Sequence, residues 1–169
     1  MRFCLSLLLL SLLSACGTIS FTPAEYPLRD GLITAFKVAG PTTVTNGQPS
    51  TDETIVYSYM GSKLASNLHA ITEVMVQQTA KELAKSGQVN SAGSPKSIML
   101  RVDSLLSEYT NAFFWKSNIR FQATLGNGAV VTKTVPHTSG VLQQDLNGCI
   151  AEGVMALLND GQVRAYLAQ

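Results

Sequence analysis

The stretch Ile119-Arg120-Phe121-Gln122-Ala123-Thr124-Leu125 places its apolar residues at every second position, and Gly126-Asn127-Gly128 follows directly. Alternation of this kind has the period of a half-buried strand, and Asn-Gly is the strongest short-range sign of a hairpin turn. Ala129 to Val135 then supplies the returning strand, with Pro136 marking its end or a sheet edge. Upstream, Ile98, Leu100 and Val102 alternate with Met99, Arg101 and Asp103 in a run that can extend to Tyr109. Three neighbouring strands with one apolar face form a meander that needs a cover.

The cover lies on either side in the chain. From Ser62, expected as a cap, Leu64, Leu68, Ile71, Met75, Val76, Ala80 and Leu83 form one helical stripe, which Gly87 stops. A second stripe runs through Leu142, Leu146, Ile150, Gly153 and Leu157 in a helix expected over 139–159. Gly153 costs about 1 kcal/mol against alanine there, so it marks close packing on the sheet. Asp160-Gly161 opens a short closing helix through Leu167. Before the first helix, Leu32 to Val38 and Ile55 to Tyr59 read as strands, and Thr42 to Thr54, with Asn46-Gly47 and Pro49-Ser50, as a surface loop. The order predicts an α+β two-layer sandwich. Its sheet is mainly antiparallel, with about four or five strands, and two amphipathic helices cover one face.

The chain has 169 residues, 46% hydrophobic and 14% charged, with twelve Lys and Arg against eleven Asp and Glu. That composition suits one compact domain and excludes a disordered tail. No net basic charge supports a nucleic-acid partner, which needs a clustered cationic face.

The amino end reads Met1-Arg2, then an uncharged, leucine-rich run from Phe3 to Leu13, then Ser14-Ala15-Cys16. A positive start, an apolar core and small residues before a cut make an export signal. About eleven helical residues reach only ~16 Å, half of a hydrocarbon core of ~30 Å. Past Cys16, Gly17-Thr18-Ile19-Ser20-Phe21-Thr22-Pro23 continues a helix poorly.

Leu13-Ser14-Ala15-Cys16 resembles the lipobox of bacterial lipoproteins. The resemblance implies cleavage between Ala15 and Cys16 and acylation of Cys16 by chains such as palmitate. With Gly17, not Asp, after the cysteine, it also implies the outer membrane, facing the periplasm. Residues 1–15 are then the signal, 16–30 a lipidated, flexible tether, and 31–169 the domain. Loss of Arg2 with the signal brings basic and acidic side chains level. Cys4 departs with the signal and Cys16 is blocked, so Cys149, on an apolar helix stripe, is expected as a buried, inert thiol.

The lipobox, the Ile55–Tyr59 segment entering the 62–87 helix, and the Ile98–Leu106 strand resemble the YajG family of outer-membrane lipoproteins. The Gly126-Asn127-Gly128 hairpin and the last two helices match as well. The same order is similar to the auxiliary lipoproteins of envelope ABC transporters. The 39–54 loop and Phe113-Phe114-Trp115 depart from the pattern. Neither resemblance implies a catalytic residue.

Chemistry is sparse in the residues themselves. His69 and His137 are the only histidines, too few for a zinc site of three or four ligands without distant carboxylates. No Gly-x-Ser-x-Gly elbow and no phosphate-binding glycine loop is present. No catalytic residue, metal or cofactor is therefore expected, and the chain reads as a non-enzymatic binding module for an envelope partner. The alternative is a lipid-handling transporter subunit, which calls for an acyl-sized groove lined by residues such as Leu68, Met75, Leu142 and Leu146. A third reading, a hydrolase, calls for a cleft gathering His137 with carboxylates. Phe113-Phe114-Trp115 is the candidate interaction patch, because alternation leaves at least one large ring outside.

Overall fold

The computed structural model describes residues 17–90, 92–111 and 113–169, so the expected signal and the lipobox, residues 1–16, lie outside the described residues. Among these residues the chain order is β1 (Thr18–Ser20), β2 (Phe36–Val38), β3 (Thr42–Asn46), β4 (Glu53–Tyr59) and β5 (Ser62–Asn67), then α1 (Leu68–Ser86) and β6 (Gly87–Val89). It continues with β7 (Lys96–Asn111), β8 (Phe114–Leu125), β9 (Val130–Ser139), α2 (Leu142–Leu158) and α3 (Gly161–Leu167).

β7, β8 and β9 form the expected antiparallel meander, with Leu100 opposite Ala123 and Phe121 opposite Lys133. Gly128 at φ 85° makes the turn, and its N–H donates to the Leu125 carbonyl. Ile98, Leu100, Val102, Ile119, Phe121, Ala123 and Leu125 are all buried beneath the helices. Pro136 does not end β9, which runs to Ser139. It lies on an edge strand, where a missing N–H costs no ladder bond. The product is the α+β sandwich the sequence predicts.

The sheet is larger and more mixed than expected. It has seven strands, in the order β1-β5-β4-β7-β8-β9, with β3 also on β7. β1 on β5, β3 on β7 and the short β4–β7 contact are parallel. Thr42 to Asn46, expected in a loop, is a strand because its β-branched run lies beside Lys96–Leu100. Ser62 to Asn67, expected as the first turn of a helix, is instead a strand returning from β4 through Met60-Gly61. The helix starts at Leu68, where Asn67 accepts a hydrogen bond from the Ala70 N–H at 2.7 Å. Between the stretches taken by β3 and β4, β7 is completed by side chains. Gln48 Nε2 donates to the Val102 carbonyl and the Val102 N–H donates to Thr72 Oγ1, so buried backbone groups stay paired.

The segment expected as a loose tether is also corrected. Thr18–Ser20 is paired in the sheet, Phe21 is 3% exposed in the core, and its N–H donates to the Ala65 carbonyl. Further on, the Ala24 N–H donates to Asn147, Gln78 donates to the Tyr26 carbonyl, and Lys81 and Lys85 pair with Glu25 and Asp30. A buried aromatic ring outweighs the lack of periodicity, so this stretch belongs to the domain.

Gly153 and Gly148 of α2 face different neighbours. A methyl on Gly153 would sit 3.4 Å from Ile119, Met75 and Phe121, whereas one on Gly148 would overlap the His137 ring. Gly153→Ala is therefore expected to leave stability unchanged or raise it by up to ~1 kcal/mol through helix propensity. Gly148→Ala is expected to cost about 1–2 kcal/mol by overpacking. Denaturant melts of the two variants check the opposite signs.

Candidate functional site

One end of the sheet collects Tyr59, Tyr109, Phe113, Phe114 and Trp115. The β4–β5 hairpin closes in two residues, Met60 at φ 46° and Gly61 at φ 83°. Such turns favour Asn, Asp or Gly at the first position. Here the position is a methionine, 87% exposed, placed by neither packing nor turn chemistry. At the neighbouring β7–β8 turn, the Asn111 side chain accepts from the Phe113 N–H, and Thr110 Oγ1 donates to the Phe114 carbonyl. Phe113 is 73% exposed and Phe114 47%.

Trp115 differs from its two neighbours. Its ring lies 5.6 Å from Tyr109, which lies 4.7 Å from Tyr59, so a ladder of three rings backs both tips across β4, β7 and β8. Its Nε1 is buried without a partner among the described residues. The sequence patch is thus divided, with Phe113 and Phe114 outside and Trp115 as support. Phe113→Ala is expected to change stability by less than about 0.5 kcal/mol, and Trp115→Ala to cost about 1–3 kcal/mol. Thermal unfolding of the single variants separates the two roles.

A second cluster lies where α2 starts over β7, β8 and β9. Asp145, in the first turn of α2, is fully buried and accepts hydrogen bonds at Oδ2 from Ser107 and Ser117. Burial pushes its pKa up, against the opposing effects of the Ser117 and Ser107 hydroxyls and of His137. His137, opposite Ser117 in the β8–β9 register, holds Nδ1 3.9 Å from Glu152 Oε1. Both line a cleft of about 270 Å³ whose other wall is Tyr26, Pro27 and Leu32.

The cleft brings the His137 imidazole to one carboxylate, Glu152, whereas the hydrolase reading calls for several, and it supplies no free nucleophile among these residues. The Ser107 and Ser117 hydroxyls are buried and already donate to Asp145. Cys149 is buried, its Sγ faces the Val135 carbonyl at 3.4 Å, and burial drives its pKa well up, which keeps it protonated. His69 is occupied differently, its Nδ1 2.7 Å from the Gln48 carbonyl at the start of α1. Among the described residues no three of His, Cys, Asp and Glu converge as metal ligands.

Met75 and Leu146, expected along a lipid groove, are fully buried, and Leu68 and Leu142 pack against the same core. No helix among the described residues is long and apolar enough to cross a membrane.

Neither a protein-family model nor a curated protein matches the sequence. Among solved structures, the chain is similar to protein XCC0632 from Xanthomonas campestris, of family DUF330. The TM-score is 0.51 and the identity 14%, over 89% of this chain and 94% of that one. Another solved structure, of an uncharacterized protein, aligns over 90% of this chain and 97% of its own, at 13% identity and a TM-score of 0.37. The first likeness shows that the two chains share a fold.

Proposed function

We propose that this chain is a lipoprotein of the bacterial outer membrane, acylated at Cys16 and facing the periplasm. It works as a non-enzymatic binding module for an envelope partner. The observation that carries the reading is Leu13-Ser14-Ala15-Cys16 directly behind a short apolar leader. Each buried methylene contributes about 0.8 kcal/mol, and one chain holds only marginally, so several are needed for stable anchoring. The binding reading is supported by serine hydroxyls committed to Asp145. The fully buried Met75 and Leu146 weigh against acyl-chain carriage between helices and sheet.

Fractionation of the full chain in a Gram-negative host tests it. The chain is expected in the outer-membrane fraction after high-salt and alkaline washes. Recovery in the wash, or in the inner membrane, would contradict the proposal.

A further inference from the structure

We propose that the sheet end carrying Met60, Phe113 and Phe114 rests on the bilayer that holds the acyl chains. This rests on the lipoprotein reading of Cys16 and adds the orientation of the domain. Thr18 pairs with Lys63, three residues beyond Met60, and β1 runs parallel to β5. The chain before Thr18 therefore leaves the sheet at the Met60 end. Cys16 is two residues from Thr18, and an extended chain advances at most ~3.6 Å per residue, so the acylated position lies within ~7 Å of Thr18.

The second tip stands at the same level, because Tyr57 pairs with Ser107 and Tyr59 stacks on Tyr109. Four strand spacings of ~4.8 Å separate β1 from β8, so anchor and Phe113 share one edge ~20 Å long. Three features single out this end. A methionine occupies a left-handed turn position while fully presented to the outside. Two phenylalanines are exposed beside it, on a rigid ring ladder. Pairing of β1 from Thr18 and burial of Phe21 leave only a two-residue step between the sheet and the acylated position. The opposite end offers the polar Gly126-Asn127-Gly128 turn instead. Aromatic and apolar side chains of this kind settle at the headgroup–acyl boundary.

The test uses the full chain, matured in its host, purified and placed in vesicles of phosphatidylethanolamine and phosphatidylglycerol. Met60→Cys, Phe113→Cys and Asn127→Cys are labelled singly with an environment-sensitive dye, Cys149 being buried. Dyes at 60 and 113 are expected to be quenched by lipid-borne nitroxide and to be several-fold less open to aqueous iodide than the dye at 127. Equal iodide access at all three positions, with the chain still on the vesicles, would overturn the seating alone. Iodide protection without nitroxide quenching would mean that protein covers the tips, and would also overturn it. Failure of the chain to stay on vesicles, with Cys16 unmodified by mass, would overturn the anchoring and the seating with it.

Discussion

Asp145→Ala is expected to lower stability by about 2–4 kcal/mol, a fall in Tm of roughly 5–15 °C for a domain of this size. The substitution strands the hydroxyls of Ser107 and Ser117, both buried and both directed at the lost carboxylate. A buried donor without an acceptor costs about 1–3 kcal/mol, and removal of a buried charge returns part of that sum. Asp145→Asn keeps an acceptor oxygen and is expected to be far milder.

The pair of variants also reads the titration. The folded state raises the Asp145 pKa, chiefly by burial, so it binds the proton more tightly than the unfolded chain does. That contribution is complete below the ordinary Asp value of about 3.9 and is lost as pH rises through the higher folded value. Wild type should therefore lose stability relative to Asp145→Asn as pH climbs out of the acid range. Urea melts of both proteins from pH 3.5 to 7.5 measure the difference. A wild-type advantage over Asp145→Asn that stays flat, or that grows with rising pH, would contradict the raised pKa.

Cys16→Ser is expected to have the largest effect of any single change. The hydroxyl cannot replace the thiol as the acyl acceptor, so the chain should keep its leader and carry no acyl group. A lone acyl chain of myristoyl length gives an association constant of about 10⁴ M⁻¹, and the variant has none, so only its retained apolar leader can hold it to a membrane. The apolar tips at Met60 and Phe113 cannot restore an anchor of that strength. Membrane fractionation after alkaline washing should show the variant as uncleaved precursor, absent from the outer membrane. The fold itself should survive, because every core residue from Phe21 onward is retained.

Much of the fold can be read from the residues, and the exceptions share a cause. β7, β8 and α2 bury one face, so burial imposes a period that the sequence must display. β3 buries neither face fully, and its Thr-Thr-Val-Thr run next to Asn46-Gly47 resembles a loop. In β5, Leu64 happens to stand four residues before Leu68, so it falls in phase with the helix stripe. Two signals were available there: a residue-plus-glycine turn at Met60-Gly61, and Asn67 as a cap.

The candidate site divides in the same way. Exposure of Phe113 follows from its place in the β7–β8 turn, whereas its partnership with Met60 depends on strand order, which no local pattern encodes. The grouping of Ser107, Ser117, His137 and Asp145 depends on register across three strands and on where α2 lands. Only His137 and Asp145 are close in sequence, and nothing in the seven intervening positions signals their grouping.

The mass of the amino-terminal peptide of the native, membrane-extracted chain decides whether Cys16 anchors the domain. The account predicts that this peptide begins at Cys16 and carries acyl chains on the thioether-linked glyceride and the terminal amine. A peptide that begins at Met1, or at any residue without an acyl group, would contradict it.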